Sequence, residues 1–273
     1  MRAATNIIAA PAWVAFAAGA ALVMGAAGCT SASVGVATLA PGSLATGLVG
    51  HWRFDETAGA TAHDSSGNLR DGAVLSTGGF GPGWSWTSGQ FDGALHFSGI
   101  DQVTVGSPPF PQSTENYSVA AWLLVQYTDV NPPLAAVLST EGFNGGWSMN
   151  FAPPPPGPGS GGSYRFAYPD PLVPGGYIHA ECVNCFVPGE WTHIAAVIDA
   201  STETLTLYIN GVPAAEVAAP QAIGPHQGTL FMGRWPGPGR NLAGAVDDVA
   251  IYSRALVAAE VMLLATSPAP NPM

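Results

Sequence analysis

Apolar and polar residues alternate in short segments along most of the chain, and this period of two predicts β-strands with one buried face. The stretch 242–256 shows the pattern most clearly. Val249 and Ile251 point to one side of the predicted strand, and Asp248 and Ala250 point to the other. The last strand of the chain is therefore expected to have one apolar face and one face that carries an acid.

Further strands are predicted from the same alternation and from the turn residues between the segments. They span residues 48–54, 117–125, 134–139, 146–151, 191–199, 204–211 and 228–233. Residues 117–125 are almost continuously apolar, which is typical of a central strand covered on both faces. Asn210 and Gly211 predict a hairpin, because both central residues of a type I′ turn need positive φ. Residues 255–264 favour one short helix near the C-terminus.

Composition allows a folded core and argues against one class of partner. The chain of 273 residues is 47% hydrophobic and only 9% charged, and a β-sandwich of this length often forms one domain. Seven basic residues, all of them Arg, stand against 18 acids and give a formal net charge of −11. Such a chain has no general attraction for phosphate backbones, so no nucleic-acid partner is expected. Cations and neutral sugars are compatible with this charge.

The N-terminus is expected to be an export signal. Residues 7–23 form an apolar run without charge, and small residues follow it. This pattern favours a secretory signal peptide over residues 1–28.

Residues 26–29, Ala-Ala-Gly-Cys, resemble the bacterial lipobox. The resemblance implies that Cys29 carries lipid and that the protein is an exported lipoprotein, in contact with the membrane only through this N-terminal anchor. Residues 29–46 would then form a flexible tether. Ordinary secretion, with cleavage near Ala27 or after Ala32, is the alternative.

A series of motifs occurs in a fixed order along residues 48–264. They are Trp52-Arg-Phe-Asp55, Asp64-Ser-Ser-Gly-Asn68, Phe91-Asp-Gly-Ala-Leu-His-Phe-Ser-Gly99 followed by Asp101, Val103 and Val105, Trp191-Thr-His193, Leu207-Tyr-Ile-Asn-Gly211, and the closing strand from Gly244 through Tyr252 to Arg254-Ala255-Leu256. Together they resemble the laminin-G-like, concanavalin-A-like jelly-roll family. The resemblance implies an all-β fold, a two-sheet antiparallel jelly-roll β-sandwich with one short C-terminal helix over residues 47–266. Residues 267–273, Ser-Pro-Ala-Pro-Asn-Pro-Met, are expected to be a disordered tail.

One departure from the family pattern concerns the start of the helix. The family usually has Ser or Thr where Val257 stands, three residues before Glu260, and these two positions form a capping box. Val has no side-chain oxygen that accepts an amide hydrogen bond, so the helix start is expected to be weaker by ~1 kcal/mol.

The resemblance also implies a structural calcium ion (Ca2+), because family members often hold one through an early and a late Asp. Calcium prefers several hard oxygen ligands. Asp64 and Asn68 in the first turn, with Asp247 or Asp248 on the closing strand, are the expected ligands if the first and last strands lie together. The alternative is that Asp64 makes only a turn and that Asp248 is solvated at a sheet edge.

Carbohydrate binding is the function that the resemblance implies, with a cell-surface protein as the alternative partner. Aromatic rings in loops stack on sugar faces, so aromatics near Gly or Pro in the predicted loops are the candidates. The candidate ligand-binding residues are Trp84, Phe143, Tyr168, Tyr177 and Trp235, with Asn144 and Arg234 as hydrogen-bonding neighbours. Trp235 is the first choice, because Pro and Gly are expected to hold its loop away from the sheet. For each single aromatic, packing in the core or against a turn is the alternative.

Cys182 and Cys185 are the two cysteines that remain if Cys29 carries lipid. In an exported chain such a close pair is expected to form a disulfide. A thioredoxin-like redox site would need a βαβ context, which is lacking, and a zinc site would need two further ligands, although His179 is near. The disulfide is the favoured prediction.

Catalytic motifs are absent from the sequence. Some concanavalin-A-like relatives are glycoside hydrolases that carry Glu-x-Asp-x-x-Glu along one strand, and no such run occurs here. His-Glu-x-x-His and Gly-x-Ser-x-Gly are also missing. The chain is therefore expected to be a non-catalytic, lectin-like binding module at the bacterial cell surface. A protein-interaction or adhesion module is the alternative, and a divergent glycoside hydrolase is a third, less favoured one.

Overall fold

The structure, a computed structural model, describes residues 43–77, 83–106, 116–126, 131–140, 146–154, 161–170, 172–219, 228–237 and 239–269. The chain divides into two compact units, Met1–Ala37 and Thr38–Met273, and all of the described residues belong to the second. The predicted signal peptide, Cys29, Phe143 and Asn144 lie outside the described residues, as does most of the predicted tether.

The described residues form sixteen strands, one 3-10 turn and one α-helix. The strands are β1 (Leu48–Trp52), β2 (Thr61–Ala62), β3 (Gly72–Ser76), β4 (Ser85–Ser88), β5 (Gly93–Ser98), β6 (Asp101–Val105), β7 (Asn116–Leu124), β8 (Ala135–Thr140), β9 (Ser148–Ala152), β10 (Ser163–Pro169), β11 (Tyr177–Val183), β12 (Thr192–Asp199), β13 (Thr204–Ile209), β14 (Val212–Ala218), β15 (Leu230–Met232) and β16 (Ala243–Tyr252). The 3-10 turn is Ser43–Ala45, and the helix is α1 (Ala258–Leu264). None of the helical segments in the described part of the chain has the length and apolar character that a membrane span requires.

The strands form two antiparallel sheets. In the first sheet the order is β14-β13-β12-β7-β16-β5-β4, and β1 also pairs with β16. In the second sheet the order is β11-β10-β9-β8-β15-β6-β3-β2. The predicted all-β jelly-roll sandwich with one short helix is confirmed by this arrangement.

The main hydrophobic core lies between the two sheets, where inward side chains from alternate positions meet. Strand β10 shows the alternation. Tyr164, Phe166 and Tyr168 are buried in this core, while Arg165 and Ala167 lie on the outer face of the second sheet.

A smaller core lies on the outer face of the first sheet, where α1 packs. Its residues are Leu44, Ala120, Ala195, Val197, Tyr208, Ala250, Tyr252, Leu256, Val261, Leu264 and Ala269. Leu44 belongs to the predicted flexible tether and Ala269 to the predicted disordered tail, yet both are buried. Burial of each apolar side chain against this face favours an ordered position for these two residues, and the tether and the tail stay predictions.

Strand β16 lies near the centre of the first sheet and carries the two adjacent acids. On one side it pairs with β7; on the other it pairs with β5 up to Val246 and then with β1 from Val249. Asp247 and Asp248 fill the junction between these two partners, and Asp248 sits at a β-bulge with a φ of 47°. Because of the bulge, Val246 and Val249 both face the main core, and the predicted alternation is interrupted at the two acids.

Helix α1 starts at Ala258, three residues later than predicted, with Val257 as its N-cap. The Val side chain makes no capping hydrogen bond, in agreement with the expectation of a weak start. Glu260 compensates in part, because its Oε2 accepts a hydrogen bond from the Val257 amide at 3.1 Å. Arg254 donates hydrogen bonds of 2.6 and 2.8 Å to this carboxylate and a further one to the Ser43 carbonyl. The helix start is thereby joined to the segment before β1.

Candidate functional site

A cleft of about 350 Å³ opens on the outer face of the second sheet. It is lined by Ser148, Arg165, Ala167, Tyr177, His179, Trp235 and Arg240. Strands β9, β10 and β11 supply its floor, and the loop after β15 supplies one wall. Two aromatic rings, two guanidinium groups and an imidazole therefore converge on one concave surface.

The strand register explains why these side chains are neighbours. Ala167 of β10 pairs with Ser148 of β9 and with His179 of β11, so the three residues form one row across the sheet. Arg165 comes two residues before Ala167 in β10, and Tyr177 comes two residues before His179 in β11. Because these strands are antiparallel, the two side chains lie on opposite sides of this row, and both point to the outer face because side chains alternate along a strand. The cleft is thus a direct product of the regular ladder between these three strands.

The two Arg side chains of the cleft have unusual surroundings. Arg165 is half-buried, and its Nε has no hydrogen-bond partner in the described part of the chain. Glu181 lies opposite it in the register, but that carboxylate accepts a hydrogen bond from the Ser163 hydroxyl at 2.6 Å. Arg240 lies over Trp235, with the guanidinium carbon 5.7 Å from the ring centroid. Among the described residues, no acid forms an ion pair with either Arg.

Trp235 borders the cleft, but the structure buries most of it. Only 7% of its surface is exposed, so the prediction that its loop holds the ring away from the sheet is wrong. The loop folds back instead, because the Leu242 amide donates a hydrogen bond to the Gly233 carbonyl at 2.9 Å. Arg234 is fixed beside it, since its Nη1 donates to Gln102 Oε1 at 2.7 Å. Neither residue is therefore a freely exposed ligand contact.

The other predicted aromatics separate into exposed and packed side chains. Tyr177 lines the cleft and is 50% exposed, which suits a ring that stacks on a ligand. Tyr168 is 1% exposed, and its predicted loop position is wrong, because the alternation of β10 continues through it and turns it to the core. Trp84 is half-buried and packs edge-on against Trp86, with ring centroids 5.8 Å apart. For Tyr168 and Trp84 the alternative of core packing fits the structure.

A second and more open cleft, of about 530 Å³, lies beside Trp86. Its other lining residues are Asp55, Glu56, Thr57, Thr87, Ser88, Asp92 and Gly93. Arg53 forms an ion pair with Asp55 at 3.0 Å, and Asp55 also accepts the Gly93 amide at 2.9 Å. Because three carboxylates line this cleft, its surface is anionic.

The first turn uses the predicted early calcium ligands as hydrogen-bond partners of the backbone. Asp64 Oδ1 accepts hydrogen bonds from the amides of His51 at 3.0 Å and Ser66 at 2.9 Å. Asp64 Oδ2 accepts one from the Arg70 amide at 3.0 Å. The Asn68 side-chain amide donates to two carbonyls of β1. These bonds form an Asx-turn that is fixed to the first strand.

The first and last strands lie together, since β1 pairs with β16, but β1 separates the early acid from the late ones. Asp248 Oδ1 lies 2.5 Å from His51 Nε2, and Asp248 Oδ2 accepts the Ala269 amide at 3.0 Å. Asp248 is therefore buried in a central strand and is not solvated at an edge. Within the described residues, no group of three or more His, Cys, Asp and Glu side chains is placed to hold a metal ion. Calcium binding by Asp64, Asn68 and Asp247 or Asp248 stays a prediction.

Asp247 and His193 belong to a buried polar cluster on the outer face of the first sheet. Both lie opposite Trp122 in the register of the sheet. Asp247 Oδ2 accepts the Phe91 amide at 3.0 Å, whereas Oδ1 has no partner among the described residues. Burial raises the pKa of Asp247 to about 8 and lowers the pKa of His193 to about 4. Both side chains are therefore mainly neutral at about pH 7.

Cys182 and Cys185 are joined by a disulfide, in agreement with the prediction, and their Cα atoms are 5.8 Å apart. Cys182 lies in β11 and packs against the main core, so the bridge closes the turn that follows this strand. Asn184 in the turn has a φ of 62°, and its side-chain oxygen accepts the Gly161 amide at 2.8 Å. The edge strand that bounds the cleft is thus fixed at its C-terminal end.

The sequence patterns did not identify Arg165, His179 and Arg240 as site residues. A signal for Arg165 was present, because a basic residue between Tyr164 and Phe166 in an alternating strand must point away from the core. The positions of His179 and Arg240 depend on the pairing of β11 with β10 and on the path of a loop. No local pattern encodes either of these.

Comparison with protein families matches residues 97–262, more than half of the chain, to the concanavalin A-like lectin/glucanases superfamily. Among solved structures, domain 4 of AbnA, a GH43 extracellular arabinanase from Geobacillus stearothermophilus in complex with arabinotriose, is 20% identical, with a TM-score of 0.60 over 80% of this chain and 98% of that one. The binding domain of Paraclostridial Mosquitocidal Protein 1 is 17% identical, with a TM-score of 0.62 over 82% and 52%. The botulinum neurotoxin serotype D binding domain is 15% identical, with a TM-score of 0.60 over 81% and 52%.

The chain thus spans about half the length of the two toxin binding domains. Comparison with curated protein sequences gives no significant match. At these identities the solved structures show a shared fold, and the family match adds the sequence pattern. The chain belongs to the concanavalin A-like lectin/glucanases superfamily.

Proposed function

We propose that this chain is a non-catalytic binding module and that its ligand is a carbohydrate, bound in the cleft on the outer face of the second sheet. The lining of the cleft carries the proposal: the half-exposed ring of Tyr177 lies with Arg165, His179 and Ser148, which supply hydrogen-bonding groups. A sugar offers an apolar face to a ring and hydroxyls around its rim. A concave surface with a ring and a few convergent polar groups suits such a ligand.

The structural neighbours support a binding role. The arabinanase domain was solved with arabinotriose, and both toxin segments are named as binding domains. A shared fold does not determine the ligand. The proposal for this chain therefore rests on the cleft, and the neighbours' own ligands are not transferred to it.

The chemistry of the cleft favours binding over catalysis. Glycoside hydrolysis generally uses two carboxylates that flank the scissile bond. None of the described residues that line this cleft is an acid. The acids of the second cleft include Asp55, whose carboxylate is engaged by Arg53 and by the Gly93 amide.

A protein partner is the second candidate, and one observation favours it. Three apolar side chains on or beside the edge strand β11 are exposed: Leu172 by 63%, Val173 by 52% and Val183 by 65%. Exposed apolar groups of this kind are typical of protein-interaction sites when they form a continuous patch. Such a partner would contact the edge of the second sheet beside the cleft.

The same proposal includes export and a lipid anchor on Cys29, with secretion as the alternative. Labelled palmitate should mark the native chain and should not mark the Cys29→Ala variant. Equal labelling of the two chains would exclude the anchor.

A glycan array with the purified full chain tests carbohydrate binding. We expect at least one glycan class to be retained, and Tyr177→Ala to bind it about tenfold more weakly (~1.4 kcal/mol), because this ring is the exposed stacking surface. Leu69→Ala is the control, since Leu69 is 87% exposed and lies outside the cleft. An array that retains nothing, or a Tyr177→Ala variant that binds like the native chain, would refute the proposal.

A further inference from the structure

We propose that the cleft selects an acidic saccharide, one that carries a carboxylate or sulfate group, and that Arg165 and Arg240 bind this anionic group. The inference rests on the proposed function, which assigns carbohydrate to the same cleft. It adds the charge of the ligand and the residues that recognise this charge.

Positive charge is scarce in this protein, and the cleft contains a large share of it. The sequence has 18 acids and only seven basic residues, all of them Arg. Arg53 and Arg254 form ion pairs with neighbouring carboxylates at 3.0 and 2.6 Å. Arg165 and Arg240 both line the cleft, and within the described residues neither has an ion-pair partner. In an otherwise acidic chain, such a concave surface attracts anions locally.

Arg165 is built into the floor of the cleft. It lies in the middle of β10 between the core residues Tyr164 and Phe166, so the backbone fixes the direction of its side chain. Its Nε is buried without a hydrogen-bond partner in the described part of the chain, and Glu181 opposite it is engaged by the Ser163 hydroxyl. The guanidinium also carries terminal N–H groups, and an oxyanion in the cleft can accept hydrogen bonds from this planar fork.

Arg240 approaches the cleft from the loop and is oriented by Trp235. The guanidinium carbon lies 5.7 Å from the centroid of the indole ring. Stacking on a ring uses the flat face of a guanidinium and leaves its in-plane N–H groups free to donate. Trp235 is only 7% exposed, so its ring supports this Arg and does not stack on a sugar.

Among the described residues, the acids nearest the cleft, Asp170 and Glu181, form no ion pair with its two Arg side chains. Asp170 follows β10, and its Oδ1 accepts the Leu172 amide at 2.9 Å. The second cleft has the opposite character, since Asp55, Glu56 and Asp92 line it, and it repels the same ligand. The two clefts therefore discriminate between ligands by charge.

The exposed aromatic ring distinguishes an acidic saccharide from a small free anion. Tyr177 is 50% exposed and lines the cleft together with His179 and the two guanidinium groups. A free sulfate or carboxylate ion leaves this ring without a contact, whereas a sugar that carries the anionic group covers it. The cleft of about 350 Å³ lies within the size range of small-ligand sites.

Calorimetric titration of the full chain with three tetrasaccharides tests the inference: tetragalacturonate, sulfated galactotetraose and neutral galactotetraose. We expect at least one acidic tetrasaccharide to bind about tenfold more tightly than the neutral one. The preference should shrink when NaCl is raised from about 20 mM to about 500 mM, because salt screens a contact between charges. Arg165→Gln should remove most of the preference, and Arg165→Lys should keep part of it.

Arg53→Gln is the matched control, because it removes one positive charge that does not line the cleft. If circular dichroism shows that Arg165→Gln does not fold, Arg240→Gln gives the same test at an exposed position. Equal affinities for acidic and neutral tetrasaccharides, with native behaviour of the Arg variants, would overturn the inference and leave carbohydrate binding intact. Failure to bind any tetrasaccharide, with no glycan retained on the array, would overturn the proposed function and the inference together.

Discussion

Replacing Asp247 by Asn should change how the stability of the fold depends on pH. Burial raises the pKa of Asp247 from 3.8 to about 8, a rise that the Asp248 charge assists and the Phe91 amide opposes. The folded state therefore keeps a proton that the unfolded chain releases near pH 3.8. Because this pKa is raised on folding, the stabilising contribution of the group is lost as the pH rises from about 4 to about 8.

His193 changes the pH dependence of the stability in the opposite direction. Burial lowers its pKa from 6.5 to about 4, so below pH 6.5 the unfolded chain binds a proton that the folded state does not. Its contribution is present above about pH 6.5 and is lost as the pH falls towards about 4. The pKa values of Asp199 and Glu260 are lowered, so these carboxyls lose their contributions only in more acidic solution, below about pH 4.5.

The magnitudes follow from about 1.4 kcal/mol for each pH unit and each group. Between about pH 4 and about pH 6.5 the slopes of Asp247 and His193 are opposite and nearly cancel. From about pH 6.5 to about pH 8, of these two groups only Asp247 still changes the stability. Over this range of about 1.5 pH units the free energy of unfolding of the native chain should fall by about 2 kcal/mol.

Urea denaturation across this pH range measures the effect. The free energy of unfolding of the Asp247→Asn variant should stay constant between about pH 6.5 and about pH 8. Between about pH 4 and about pH 6.5 it should rise by about 3 kcal/mol, because the contribution of His193 is no longer opposed by that of Asp247. Asp92→Asn is the matched control, since its side chain is 77% exposed and should leave the native profile unchanged. Parallel profiles for the native chain and the Asp247→Asn variant above about pH 6.5 would refute the reasoning, because they would show that folded Asp247 is already ionised.

Two further predictions concern residues of the cleft and of the first turn. Trp235→Ala should lower the free energy of unfolding by about 3 kcal/mol, because it removes a buried indole. The same substitution should weaken acidic-saccharide binding, because Arg240 loses the ring that orients it. A variant with native stability in urea would contradict the burial of Trp235. Calcium binding by Asp64 and Asn68 remains predicted from the resemblance. If it occurs, EDTA should lower the melting temperature and calcium should restore it. Superimposed melting curves would show that these side chains make only the hydrogen bonds of the turn.

The fold was largely predictable because alternation and turn residues act locally. The strand that contains Val249 and Ile251 is an example, since its apolar face follows from a period of two. The bulge at Asp248 was not predictable in the same way. It arises because β5 and β1 meet end to end along one side of β16, and no pattern within β16 encodes its neighbours.

The candidate site was predictable only in part, for a related reason. Tyr177 was identified because an aromatic beside Gly residues indicates an exposed ring. Trp235 has similar neighbours, yet its loop folds back through a hydrogen bond between Leu242 and Gly233, so its burial depends on tertiary contacts. The place of Arg165 in the cleft follows only from the strand register, which puts β10 between β9 and β11.

The central place of β16 has a consequence for aggregation. Three strands, β7, β5 and β1, all pair with it. Until β16 pairs, the edges of these three strands are open, and open edges invite pairing with other chains. The pairing of Leu48 with Tyr252 joins distant segments, which slows folding. Removal of β16 should therefore yield an aggregation-prone product instead of a smaller domain.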